Sequence, residues 1–319
     1  MEIQPLHIEG HCVASDSHLL KNMKRVVACG YPEIEGLQPE REGHIAIVAS
    51  GPSIAGQIDA IRAFPGPKVA VRDAHDWMIT NGMIPDYAFT VDPLPNSWHC
   101  FEKKHQDVQY VIASQCDKAV FDHLEGHKIL TWHTYMSHGQ TEPAGKFLIP
   151  GLSTSGLRAI AVFYCLGWRS FDLFGFDSCL TGNTLRINGT GVSDGDRVFD
   201  VRITPNGEVF HANNAMILQA QHFLDIFDMM PGIHVTTHGK GLIPAILEKY
   251  LADGISIAKE VQHTPNDRVS FIHYAGPEMA SYRYRVLIPA EGLGAQINDL
   301  SASTLIFSKP RPEEILDLC

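Results

Sequence analysis

The chain has 319 residues, 45% of them apolar and 19% charged, which is enough to build a large core without disulfide or metal staples. Its formal net charge of -11 excludes a generic nucleic-acid surface or a polybasic membrane anchor, since both need clustered Lys and Arg. A small anionic ligand held by a local positive site is still allowed. Seven scattered cysteines form no CxxC pair, Met1–His7 carries no cationic and apolar leader, and no apolar run approaches the roughly 18–20 residues of a membrane span. The expectation is a cytoplasmic chain with reduced thiols.

Residues 1–40 are polar and weakly patterned, with one amphipathic helix over Ser17–Val27 ended by Tyr31-Pro32, and are expected to form a peripheral N-terminal cap. From 44 the pattern changes. His44–Ala49 is a short apolar run of the kind buried on both faces of a parallel sheet. The turn Ser50-Gly51-Pro52-Ser53 leads into a helix over Ile54–Phe64, stopped by Pro65-Gly66-Pro67. Strand Lys68–Val71, helix Asp73–Asn81 and strand Asp86–Val91 follow. Then come strand Tyr110–Ala113, helix Ala119–His123, strand Lys128–Thr131, the long helix Ser153–Leu166 and strand Phe171–Gly175. Strands alternating with helices at this rhythm imply βαβ units. The fold class is therefore α/β: an open, Rossmann-like, mostly parallel sheet with helices on both faces.

Val198–Ile203 and Glu208–His211 alternate apolar and polar residues around Thr204-Pro205-Asn206-Gly207, which predicts a β-hairpin insertion. Helix Ala215–Phe227, strand Ile233–Thr236 and helix Leu242–Leu251 close a domain spanning 41–255. A polar break over Gln262–Arg268 precedes strand Val269–Ile272 and a small C-terminal α/β appendage over 266–319.

Three features carry chemistry. The strand-turn-helix at 45–61 offers backbone N–H groups and a helix start to a phosphate at Ser50, Gly51, Pro52 and Ser53, although the same turn is equally an ordinary connection with Ser53 as N-cap. A second helix start, Ser153-Thr154-Ser155-Gly156, offers hydroxyls and N–H groups to an anion or ribose, with capping again the bland alternative. Asp73, Asp92 and Asp177 each follow a strand, where a carboxylate binds ribose hydroxyls, holds Mg²⁺ or deprotonates an acceptor. His211, at the hairpin's end and before a helix, is the candidate general base, against a solvated loop histidine. His123 and His127 flank Glu125 without forming HExxH, so a zinc centre is not expected. Trp77, Trp98, Trp132 and Trp168 read as core or pocket wall.

Together, Ile47–Ile54, Gly82–Tyr87 with Val91-Asp92, Gly151–Ser155 with Ala159-Ile160-Ala161, and Leu173–Asp177 resemble the MptE-like domain family. That family holds archaeal 6-hydroxymethylpterin diphosphokinases and Maf-type flagellin glycosylation proteins. Ser50 and Leu152 depart from its usual small residue and glycine, and the loop after Asp177 is long. A more distant resemblance is to bacterial sialyltransferases that use CMP-sialic acid, through the GPS turn and Thr154-Ser155-Gly156; it places His211 as catalytic base and Ser53 and Ser155 at the nucleotide. Ile272-His273-Tyr274 and Ala280–Ala290 look like the opening of a glycosyltransferase N-domain, with a docking α/β appendage over 266–319 an equal reading. What the first resemblance implies is a nucleotide-dependent transferase, diphosphokinase-like with ATP and Mg²⁺ at Asp92 and Asp177. The alternatives are a nucleotide-sugar glycosyltransferase with His211 as base, or a non-catalytic nucleotide- or glycan-binding module. The implied partners are a nucleotide or nucleotide sugar and a small-molecule or glycan acceptor, with homo-oligomer formation left open.

Overall fold

The computed structural model describes residues 14–134, 145–149, 152–192, 197–203 and 207–252, with strand backbone at 269–273, 296–297 and 304–308. The chain divides into two units, Met1–Thr134 with Glu142–Ala258, and Tyr135–Thr141 with Lys259–Cys319.

The larger unit is built on β1 (His44–Val48), β2 (Lys68–Val71), β3 (Tyr87–Thr90), β4 (Gln109–Ala113), β5 (Lys128–Thr134), β6 (Leu148–Ile149), β7 (Ser170–Phe174) and, after a separate hairpin of β8 (Val198–Val201) and β9 (Phe210–Asn213), β10 (His234–His238). Eight of these form one sheet in the order β10-β7-β1-β2-β3-β4-β5-β6, and every pairing in it is parallel. The chain leaves β1 toward β6 and returns to the other side of β1 at β7. The strand order thus reverses between β1 and β7, and a crevice outside the carboxyl ends of these two strands is where sheets of this kind bind ligands.

Alternation along the strands sorts the core into two layers. Ile45, Ile47, Val69 and Val71 join a cluster with Leu157, Ile160 and Phe163 of α5 (Ser155–Cys165). Ala46, Val48, Ala70 and Phe174 join a second cluster with Ile61 of α2 (Ile58–Ala63) and Ala74 and Met78 of α3 (Ala74–Thr80). Helices therefore cover both faces, as the continuous apolar strand runs predict. The remaining helices are α1 (Asp16–Cys29), α4 (Lys118–His123), α6 (Asn214–Phe223), α7 (Asp225–Met229) and α8 (Leu242–Ala252).

Several local expectations change. The N-terminal segment was expected to stay outside the core, yet α1 buries Leu19, Met23 and Val26, and Val26 and Ile34 join the main cluster. Asn22 Nδ2 donates to the Gln115 carbonyl at 3.1 Å and Arg25 Nη2 to that of Cys116 at 3.0 Å, which fixes the helix to the loop after β4. The helix expected over Ile54–Phe64 is a 3₁₀ turn over Pro52–Gln57 followed by short α2. The helix expected over Ala215–Phe227 breaks at Leu224 into α6 and α7. Neither a 3₁₀ turn over Pro95–Phe101 nor the two-residue β6 left a readable sequence pattern. The hairpin pairs antiparallel through Val198↔Asn213 and Val201↔Phe210, while residues 204–206 of its expected turn lie outside the described residues.

In the smaller unit, β11 (Val269–His273) pairs in parallel with β12 (Gln296–Ile297) and β13 (Thr304–Ser308). The Ala280–Ala290 segment of the expected glycosyltransferase-like opening lies outside the described residues.

Candidate functional site at the carboxyl edge between β1 and β7

β1 and β7 leave the sheet side by side, and their turns interlock. The Gly51 N–H donates to the Gly175 carbonyl at 3.1 Å. Ser53 donates twice to Asp177, from its N–H to Oδ2 at 2.8 Å and from its hydroxyl to Oδ1 at 2.5 Å. A Cβ on Gly51 would lie 2.4 Å from the Gly175 carbonyl and 2.7 Å from the Asp177 carboxyl carbon, so only glycine fits. Gly175 has φ +69, and a Cβ there would meet the Ala49 carbonyl at 2.5 Å. The Asp177 carbonyl in turn accepts from the Leu242 N–H at 2.7 Å and so ties in the start of α8.

This arrangement occupies the turn expected as a phosphate cradle at Ser50, Gly51, Pro52 and Ser53. The N–H groups of Gly51 and Ser53 are engaged inside the protein, Pro52 has none, and the anion at the turn is the protein's own Asp177 carboxylate. Ser53 is not an N-cap either; Gly51 holds that position without a side-chain bond. Asp177 is buried, and burial pushes its carboxyl above the usual aspartate range against the opposing effect of the two Ser53 bonds.

The second expected helix start reaches the same edge. Thr154 caps α5, its hydroxyl accepting from the Leu157 N–H at 3.4 Å. The first-turn N–H groups of Ser155 and Gly156 are left without intrahelical partners. The Ser153 hydroxyl oxygen is buried and has no hydrogen-bond partner. A Cβ on Gly156 would sit 3.0 Å from the Phe176 ring, so the helix end abuts the residue before Asp177. Next to it, Ser178 holds a left-handed φ of 50, fixed by bonds from its hydroxyl to the Met216 carbonyl at 3.0 Å and Gln219 Oε1 at 2.8 Å.

His211 stands on β9, and its carbonyl accepts from the Leu180 N–H at 2.7 Å, which brings it beside the loop that follows Asp177. Its ring is exposed, with Nδ1 2.9 Å from Asp200 Oδ1 on β8. That pairing directs Nδ1–H to the carboxylate and leaves Nε2 free to take a proton.

Asp92 and Asp177 are not brought together. Asp92 follows β3, three strand spacings or roughly 14 Å from β7, and its Oδ2 is held by Arg72 Nη1 while Oδ1 accepts from the Leu94 N–H at 3.0 Å. Asp73 pairs with Arg186 at 3.1 Å and accepts the Cys100 thiol at 3.3 Å. Arg186 belongs to the long loop after Asp177, which folds back across the edge: the Ile187 N–H donates to the Ser50 carbonyl at 2.8 Å and Ile187 packs on the second core cluster. Among the described residues no group of three or more His, Cys, Asp or Glu side chains is placed to hold a metal.

Sequence reasoning missed a part-buried polar chain at the ends of β4 and β5. Ser114 Oγ lies 2.9 Å from His133 Nδ1, His133 Nε2 lies 2.8 Å from Glu33 Oε2, and Lys146 Nζ lies 2.5 Å from Glu33 Oε1. Its members are spread from 33 to 146, so no local spacing marks them. Burial alone would raise the Glu33 carboxyl, but the Lys146 and His133 bonds outweigh it and hold the group below its ordinary value of 4.5. A depressed carboxyl contributes stability that is present above the unfolded-state value and is lost as pH falls through the folded-state value. Melting curves of the wild type and Glu33→Gln are therefore expected to differ at pH 7 and to converge as pH falls through the folded-state value of Glu33; a gap that does not change with pH would show that the charge is not what matters.

A surface cavity of about 390 Å³ is lined by Tyr31, Gln109 and Lys128 at the amino ends of β4 and β5, the opposite edge from the site. No helix among the described residues is long and apolar enough to cross a membrane.

No curated protein matches the chain. Among solved structures, the MAf glycosyltransferase from Magnetospirillum magneticum AMB-1 superposes with a TM-score of 0.53 at 19% identity, covering 74% of this chain and 41% of that one. At that identity the likeness concerns the fold, and this chain spans well under half of its neighbour. The family model described as 6-hydroxymethylpterin diphosphokinase MptE-like matches residues 17–183, just over half the chain and the whole stretch from α1 through the β1–β7 edge. The chain belongs to the MptE-like family.

Proposed function

We propose that this chain is a nucleotide-dependent transferase that passes a group from a nucleotide donor to an acceptor hydroxyl at the β1–β7 edge. The observation that carries the reading is the start of α5. The Ser153 hydroxyl there has no hydrogen-bond partner, and Gly156 of the first turn abuts the Phe176 ring, next to the point where strand order reverses. Phosphate oxygens bound there accept from Ser153, Ser155 and Gly156, with Thr154 holding the helix end in shape. Asp177, its carboxylate buried and accepting from Ser53, holds the adjoining turn in place beside the ligand.

His211 Nε2 takes the proton of the acceptor hydroxyl as its oxygen attacks the donor, and the charge that develops on the leaving phosphate is met at the α5 start. Asp200 holds the ring and stabilises the imidazolium that forms. In the ATP form of the reaction a Mg²⁺ ion would supply charge neutralisation of the phosphates, and Asp177 would be the residue to hold it on turning from Ser53. The second reading, transfer from a nucleotide sugar, is favoured by the exposed His211–Asp200 pair beside the edge, because a base and an anion site suffice for it.

The test is a thermal-shift panel of ATP, GTP, CMP, CMP-sialic acid and UDP-sugars, each with and without Mg²⁺. A ligand at 100 times its Kd stabilises the native state by about 2.7 kcal/mol. A rise with ATP that needs Mg²⁺ supports the diphosphokinase form, and a rise with CMP or UDP compounds that ignores Mg²⁺ supports sugar transfer. Ser153→Ala is expected to reduce the rise in either case, equivalent to about 1 kcal/mol of binding. Binding without turnover would leave a non-catalytic module, and no shift at millimolar concentration would sink the nucleotide site.

A further inference from the structure

A second cavity, about 290 Å³, opens at the carboxyl end of β2, between α3, the 3₁₀ turn Pro95–Phe101 and the tip of the loop that follows Asp177. We infer that it binds a neutral, polyhydroxylated ring, a monosaccharide unit of the acceptor.

The chemistry of the walls selects that class. The lining holds two carboxylates and no lysine or arginine, and its one histidine, His99, already pairs through Nδ1 with Glu102 at 2.7 Å, so no lining residue brings a fixed positive charge to a phosphate or a sugar carboxylate. Its two carboxylates already hold strong donors. Asp73 accepts from Arg186 and the Cys100 thiol, and Asp76 accepts from His75 Nδ1 at 2.7 Å and the Lys103 N–H at 3.2 Å. With their charge partly compensated, the lone pairs left on these oxygens suit hydroxyl donors better than a second cation. On the opposite side, Asn188 turns Oδ1 inward to its own loop, accepting from the Thr190 N–H at 3.1 Å and the Thr190 hydroxyl at 2.7 Å. Its amide NH₂ is thereby left to donate. Trp77, part buried against the core, adds an apolar aromatic wall of the kind that packs on the C–H face of a pyranose. Acceptors, a donor and an aromatic wall in a space of this size match a ring that carries several hydroxyls. Asn188 lies on the loop after Asp177, past residue 183 where the family match ends.

Naming the acceptor class rests on the transferase reading, but the binding can be measured apart from it. The experiment is saturation-transfer-difference NMR on the full chain with a panel of methyl hexopyranosides, beside spermidine as a cationic probe, on wild type, Asn188→Asp and Trp77→Phe. Asn188→Asp keeps the oxygen that shapes the loop, removes the NH₂ donor and adds a negative charge. Wild type is expected to bind at least one glycoside with a roughly millimolar Kd, and Asn188→Asp to weaken it by about 5-fold or more. Trp77→Phe is expected to weaken it as well. The inference is overturned if no glycoside gives a saturable signal up to about 100 mM, if Asn188→Asp leaves glycoside binding unchanged, or if spermidine alone binds and does so more tightly in Asn188→Asp. Nucleotide-induced stabilisation recorded on the same proteins reports the transferase reading separately.

Discussion

Gly51→Ala is expected to be among the most destabilising single substitutions in the chain, at about 2–4 kcal/mol, or a fall in melting temperature of roughly 5–15 °C for a unit of this size. The added methyl would fall 2.4 Å from the Gly175 carbonyl and 2.7 Å from the Asp177 carboxyl carbon, and the first of these is backbone that yields only if β7 or its turn moves. The same movement breaks both Ser53–Asp177 bonds. Asp177→Ala tests the other half of the contact. It leaves the Ser53 N–H and hydroxyl without an acceptor in a part-buried place, at about 1–3 kcal/mol for each group left unmade. Asp177→Asn should be milder. Burial raises the Asp177 carboxyl, so the favourable side of its titration lies below the unfolded-state value and is lost as pH rises through the folded-state value. At neutral pH the ionised form therefore carries a burial cost that the neutral amide avoids. Melts of the three variants at pH 7 check this ordering. A Gly51→Ala protein that melts with wild type would show that the turn has slack and that the interlock is not what fixes β1 to β7.

How much of this could be read from the sequence depends on the range of the interaction. The apolar run 45–48, the Gly-Pro turn after it and the hydroxyl-rich start of α5 are local, and local pattern found all three. Period-2 alternation likewise found the hairpin. The interlock is not local: Ser53 and Asp177 are 124 residues apart. From either end the same residues read equally well as a phosphate turn and a metal carboxylate. Their mutual satisfaction appears only once parallel pairing lays β7 beside β1. The same reason hid the Ser114–His133–Glu33–Lys146 chain and the role of Arg72, which folding brings against Asp92 from the neighbouring strand. The core role of α1 was concealed by its surroundings. Leu19, Met23 and Val26 share one face at spacings of four and three, but the polar residues between and around them diluted the signal.

His211→Ala is expected to lower the rate of group transfer by about 10²- to 10⁴-fold while leaving nucleotide binding intact. The separation follows from where the ring stands. His211 is exposed on β9 and its side chain touches Asp200 on the facing strand, whereas the groups proposed for the phosphates sit at the start of α5. Removing an exposed imidazole leaves no cavity and no buried donor unmet, so the melting temperature should stay within about 2 °C of wild type. The nucleotide-induced rise should persist too, because neither Ser153 nor the N–H groups of Ser155 and Gly156 depend on the hairpin. Asp200→Asn is the companion variant. It keeps a group beside Nδ1 but loses the charge that stabilises the imidazolium, and a loss of roughly 10-fold in kcat with KM unchanged is expected. A fall in kcat with steady KM marks an interaction made only in the transition state; a rise in KM alone would mean that His211 holds the acceptor and does not take its proton. If His211→Ala turned over at the wild-type rate, the base would have to be sought elsewhere on the edge.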